Sequence, residues 1–175
     1  MTLTVFCILL FAALLHASWN AIVKASGDKM YAAIGVSGSA ALIALVMLPF
    51  APQPALVSAP YLLAGSALGY TLWTFFMNGF CLLCWAMVAR RREASRYLRQ
   101  HWKKGILGGI GTMGSYGLAL WAMTQAPLAV VAALRETSIL FGALIAFIVL
   151  KEQLMPLRIV AACGIAAGAI LLRLA

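Results

Sequence analysis

Polar side chains fall in short clusters along these 175 residues, and long apolar runs lie between them. The runs are continuous rather than alternating, so they predict helices and not strands. Six can be traced, at roughly 3–23, 30–50, within 60–89, 105–123, 128–150 and 156–174. A helix of about 20 apolar residues spans the hydrocarbon core of a bilayer. Pro49 and the Pro52-Gln53-Pro54 turn close the second run, while Pro127 and Pro156 open the last two, where proline is tolerated in the first helical turn. The third run is overlong. At 1.5 Å per residue it would reach roughly 45 Å against a core of about 30 Å. It predicts either a strong tilt or a separate interfacial piece over 60–69, containing Gly65 and Gly69, that leads into a span over 70–89. The expected architecture is all-α: one membrane domain over 1–175, a polytopic bundle of about six transmembrane helices.

Composition strengthens this reading. The chain is 65% hydrophobic and 10% charged, where a soluble domain is nearer half apolar and a quarter charged. The net charge of +9 does not point to nucleic acid. Seven of the 13 basic residues crowd between Arg90 and Lys104, as expected of a cytoplasmic loop between two spans. Contact with anionic headgroups is a secondary role for such a segment. Lys24, Lys29, Lys151 and Arg158 fall on the same side as that loop. Charge counting therefore puts the basic side in the cytoplasm and both termini outside, with Arg173 the dissenter. The first residues carry no basic side chain before a long apolar run, unlike a cleaved signal peptide. The four cysteines are scattered. Cys81 and Cys84 form a CxxC inside an apolar helix, where they read as small lipid- or core-facing residues. No metal-ligand cluster accompanies them, and no cofactor is expected.

A few polar residues lie inside the runs. Arg135 and Glu136 sit side by side within the fifth, about seven residues or roughly 10 Å from its outer end. Charges at that depth are costly unless they face the bundle interior or a water-filled cavity. Arg135 is therefore expected to be held by an acceptor on another helix, or by Glu136 through water. Thr137 and Ser138 follow and can hydrogen-bond to neighbours. In the first run His16, Trp19, Asn20 and Lys24 are spaced i, i+3, i+4 and i+8, one face of a helix. His16 and Asn20 read as lining a central cavity, and Trp19 and Lys24 also suit an approach to the interface. Tyr70, Trp73, Asn78, Tyr116 and Trp121 are further lining candidates. Glycines predict close helix packing in two places: Gly105, Gly109, Gly111, Gly114 and Gly117 in the fourth run, and Gly164 and Gly168, a GxxxG, in the last.

Two stretches resemble a known family. LLHASWNAIVKASGDK is similar to the first helix of EamA-like members of the drug/metabolite transporter superfamily. APLAVVAALRETSILFGALIAFIVLKEQLMPLRIVAACGIAAGAILLRL resembles their last two helices, and GYTLWTFFMNGF fits the second half of that fold. The resemblance implies ten helices in two inverted five-helix repeats around a central substrate cavity, with secondary transport of small metabolites. It also implies cytoplasmic termini, opposite to the charge count. It divides the chain into 1–60, similar to the family's first two helices, and 69–175, similar to its last four. About four central helices would then be lacking, and a homodimer would be needed to rebuild a full cavity.

The expected function is a transporter or transporter-like protein for a small organic solute, multi-pass in a bacterial inner membrane, by secondary transport or efflux. Its partners would be the solute and the lipid bilayer. The solute-binding or coupling candidates are His16, Trp19, Asn20, Tyr70, Tyr116, Arg135 and Glu136. Arg135 suits an anionic group, and Glu136 and His16 suit proton coupling. The alternative is a non-transporting membrane remnant or interaction subunit. An enzyme is not expected, because no paired carboxylates, HExxH or Ser/His/Asp set can be assembled.

Overall fold

Helix α1 (Leu3–Lys24) starts where Thr2 offers its hydroxyl oxygen to the Val5 N–H at 3.4 Å. It stops at a short polar turn whose Asp28 caps α2 (Lys29–Met47), accepting from the Met30 and Tyr31 amides at 3.0 and 3.1 Å. A carboxylate at this position answers amides that have no partner inside their own helix. Pro49 tightens the end of α2 into a 3-10 turn over Leu48–Phe50. The computed structural model describes residues 2–51, 67–151, 160–161, 164–165 and 167–168. The further helices are α3 (Ala67–Ala89), α4 (Arg91–Met123), α5 (Leu128–Arg135) and α6 (Ser138–Ile148). Among the described residues, five segments are long and apolar enough to cross a membrane: Leu3–Lys24, Lys29–Phe50, Leu68–Ala89, Arg91–Met123 and Leu128–Ile148. The fold is an all-α polytopic membrane protein.

Three sequence expectations need correction or completion. The basic stretch from Arg90 to Lys104, expected as a loop, is largely the first half of α4. It has neither glycine nor proline and carries five arginines and two lysines, both good helix formers. Its apolar residues recur at helical spacing, so Ala94 is fully buried with Tyr31, Ile34 and Ala86, and Tyr97 packs beside them. The helix kinks at His101 (φ −117°, ψ 19°), whose ring stacks on Tyr97 at 4.4 Å. The fifth apolar run is two helices, broken at Glu136 and Thr137. Gly69 belongs to α3, while 60–66 lie outside the described residues, as do Glu152, Gln153 and most of the sixth run.

The chain forms two compact units, with the division inside α4. One unit is Ser26–Met113. Here α2 packs on α3, and the first part of α4 lies against α2. Small residues set the spacing. The Ser39 hydroxyl donates to the Gly105 carbonyl at 2.6 Å, and a methyl added at Gly105 would come 3.2 Å from the Gly35 carbonyl oxygen. At Gly79 it would strike the Ser37 backbone and lie 2.6 Å from the Ala41 Cβ. In lipid, packing of this kind replaces the hydrophobic drive available in water. The expected thinning of α4 thus holds at Gly105 and Gly109, whereas a methyl at Gly117, Gly164 or Gly168 would meet no described atom within 4 Å.

The other unit joins α1 to the chain from Gly114 onward. Here α1 packs on α6 and α5. Val5 and Leu9 bury against Ala122, Val131 and Leu134, with Phe6, Met123 and Val130 at the edge. Further along α1, a methyl at Gly114 would touch the Leu15 side chain at 3.6 Å. The pairings of Leu9 with Ala122 and Leu15 with Gly114 run α1 and the end of α4 antiparallel.

Candidate functional site

His16 and Trp19 of α1 share a cluster with Tyr116 and Arg135 inside the α1-containing unit. His16 lies 13 residues from the start of α1, roughly 20 Å along its axis and about 12 Å short of Lys24. Its ring meets Trp19 edge-on at 5.5 Å and Tyr116 of α4 at 6.2 Å. The guanidinium of Arg135, at the end of α5, lies over the Tyr116 ring at 4.5 Å. The four side chains form one chain of contacts: Trp19, His16, Tyr116, Arg135. All four are half-buried.

Arg135 is therefore held differently from the expectation. Among the described residues it forms no ion pair with Glu136 or any other acid. It rests on an aromatic face contributed by another helix. Adjacent residues of a helix point about 100° apart, and Glu136 projects to an exposed position. A guanidinium over a phenol ring keeps its N–H edge available to an anion, because the stacking uses its flat face. Two buried nitrogens in the same cluster, His16 Nδ1 and Trp19 Nε1, have no hydrogen-bond partner among the described residues. Buried polar atoms are normally satisfied, so each marks a place where a polar group is wanted.

The break beside Arg135 brings backbone to the site. The Thr137 amide donates to the Leu134 carbonyl at 3.1 Å, and Ile139 and Leu140 donate to Glu136 and Thr137 at 3.0 Å each. These are i to i−3 bonds, a single tightened turn in place of the α-helical ladder. The Thr137 side chain holds it: the residue is buried, and its hydroxyl donates to the Leu134 carbonyl at 2.6 Å. In the sequence Thr137 and Ser138 read as hydrogen-bonding residues within one continuous helix. The available signal was a threonine directly after two charges, able to divert a carbonyl from the ladder.

The predicted stripe on α1 divides. His16 and Trp19 turn to Tyr116, while Asn20 is exposed and donates through Nδ2 to the His16 carbonyl at 2.8 Å. Asn20 and Lys24 line a separate cavity of about 320 Å³ between α1 and α6, walled by Gly142, Ala143 and Ala146. Tyr70 belongs to the Ser26–Met113 unit and is more than half exposed, with its carbonyl accepting from Thr74. Trp73 and Asn78 lie on the same helix, and Trp121 is exposed on α4. No cluster of three or more His, Cys, Asp or Glu side chains suited to a metal occurs among the described residues.

Comparison with known proteins places the chain in a family. No curated protein and no solved structure matches the chain. Residues 55–174 match the EamA-like transporter family. That stretch holds Tyr70, Tyr116, Arg135 and Glu136 and begins after His16, Trp19 and Asn20. With well over half of its length matched, the chain belongs to the EamA-like transporter family.

Proposed function

We propose that this protein moves a small organic solute across a bacterial inner membrane, and that the Trp19–His16–Tyr116–Arg135 cluster receives the solute. The observation that carries the reading is a pair of buried nitrogens without hydrogen-bond partners among the described residues, beside an arginine that pairs with no acid among them. In this reading Arg135 receives an anionic group of the solute. The Trp19 indole N–H donates, and His16 donates or accepts according to its tautomer. Carriers commonly bind substrate well inside the bilayer, at a discontinuous helix, and the interruption at Glu136 and Thr137 supplies that discontinuity. His16 belongs to the cluster and Glu136 follows Arg135 in the chain, and these two are the candidates for coupling to a proton gradient.

A thermal-shift screen of the detergent-purified protein against carboxylates, amino acids, amines and sugars tests the reading. A ligand at a hundredfold excess over its Kd stabilises by about 2.7 kcal/mol. At least one anionic solute should raise the unfolding midpoint, and Arg135→Gln should abolish the shift. Trp19→Phe should weaken the shift while leaving the unliganded protein as stable as before, because it removes a buried donor that lacks a partner. If no solute shifts the midpoint, the solute-site reading is overturned in favour of a non-transporting membrane subunit.

A further inference from the structure

The first half of α4 runs beside a helix long and apolar enough to cross the membrane. Tyr31 of α2 packs with Ala94 and lies 5.7 Å, ring to ring, from Tyr97. A methyl on Gly35 would touch Leu98 at 3.3 Å and Gly105 at 3.8 Å, and one on Gly108 would press on Val36. The two helices therefore advance together. The segment from Arg96 to Lys104 lies abreast of the first turns of α2, roughly 12 Å of helix axis from Tyr31 to Ser39. That is the depth at which a spanning helix passes from headgroups into hydrocarbon.

Cations at that depth have a defined placement. Ala94, Tyr97 and Leu98 face α2. Arg92, Arg96 and Arg99 follow at i, i+4 and i+7, a stripe on the opposite face, Lys103 follows beyond the kink at His101, and all four are exposed. The one acid of the segment is engaged elsewhere. Glu93 accepts from the Tyr31 hydroxyl at 2.6 Å and pairs with Arg90 at 3.2 Å. Trp102, more than half exposed, lies beside the stripe with the Lys103 ammonium 5.8 Å from its ring. Trp85 of α3 is also half exposed, next to Ala86 of the cluster that buries Ala94. Tryptophan and basic residues side by side are the composition of a membrane interface.

We propose that Arg92, Arg96, Arg99 and Lys103 form a binding surface for the headgroups of anionic phospholipids in the leaflet they border. The long side chains reach outward from a helix flanking α2, and the lipid phosphates lie where those side chains end. The surface belongs to the Ser26–Met113 unit, and the proposal does not depend on transport.

The test is thermal unfolding of the full-length protein in micelles doped with phosphatidylglycerol or, separately, phosphatidylcholine. Phosphatidylglycerol should raise the midpoint by several degrees over phosphatidylcholine. The triple variant R92Q/R96Q/R99Q should lose at least half of that difference, and R92K/R96K/R99K should keep most of it. Added sodium chloride should shrink the wild-type difference, which decides the matter even if the glutamine variant does not fold. Equal midpoints in the two lipids would overturn the proposal, as would a difference unmoved by salt or retained by the glutamine variant. Inorganic phosphate or heparin reproducing the full shift without lipid would overturn it too, by assigning the stripe to a water-side anion.

Discussion

At the scale of single residues, the contact between Arg135 and Tyr116 organises the α1-containing unit's polar cluster. A charge inside a membrane helix needs a partner, and among the described residues the partner of Arg135 is the Tyr116 ring. Cation–π pairs contribute about 0.5–1 kcal/mol when exposed and about 2 kcal/mol when desolvated. In a double-mutant cycle of Arg135→Gln and Tyr116→Leu, measured by unfolding in mixed micelles, the two changes should couple within that range. Strict additivity would show that the ring does not hold the guanidinium. The sequence showed that Arg135 needed company but not which group supplied it. Tyr116 lies 19 positions earlier, on another helix, and its proximity depends on how α1, α4 and α5 pack. The spacing of His16 and Trp19 was legible because one helix sets it. The departure of Asn20 and Lys24 toward α6 was not, since a single helix face can touch two neighbours.

At the scale of elements, apolar run length located α1, α2 and α3 closely, because the bilayer imposes a similar length on each. It misjudged both ends of the polarity range. The basic stretch before Gly105 is helical because local propensity and contacts with α2 outweigh its charge. The break at Glu136 and Thr137 hides inside an apolar run because a 3-10 turn and an α-turn have similar hydrophobic spacing, and the difference lies in one hydroxyl. Glycine packing offers a sharp contrast between elements. Gly79→Ala would drive a methyl into the Ser37 backbone and the Ala41 side chain, where neither helix can yield without separating. Overpacking of that kind costs typically about 1–3 kcal/mol. Gly117→Ala meets open space among the described residues and should be neutral, or stabilising by about 0.5–1 kcal/mol. Unfolding midpoints of the two variants check this, and equal losses would contradict the α2–α3 packing.

At the scale of the whole molecule, the chain is a multi-pass membrane protein of the EamA-like transporter family. Charge asymmetry predicts its orientation. Ser95 is exposed in the basic half of α4, so Ser95→Cys should resist an impermeant thiol reagent applied to intact cells and react after permeabilisation. Labelling before permeabilisation would reverse the orientation. The central claim is that the cluster of Trp19, His16, Tyr116 and Arg135 binds what the protein carries. Counterflow into proteoliposomes, using a panel of labelled carboxylates, amino acids, amines and sugars, tests it most directly. The account predicts that at least one solute accumulates above protein-free liposomes, and that Arg135→Gln lowers its accumulation about tenfold, the effect of about 1.4 kcal/mol at the binding step. Accumulation of no solute, or equal accumulation by wild type and Arg135→Gln, would contradict it.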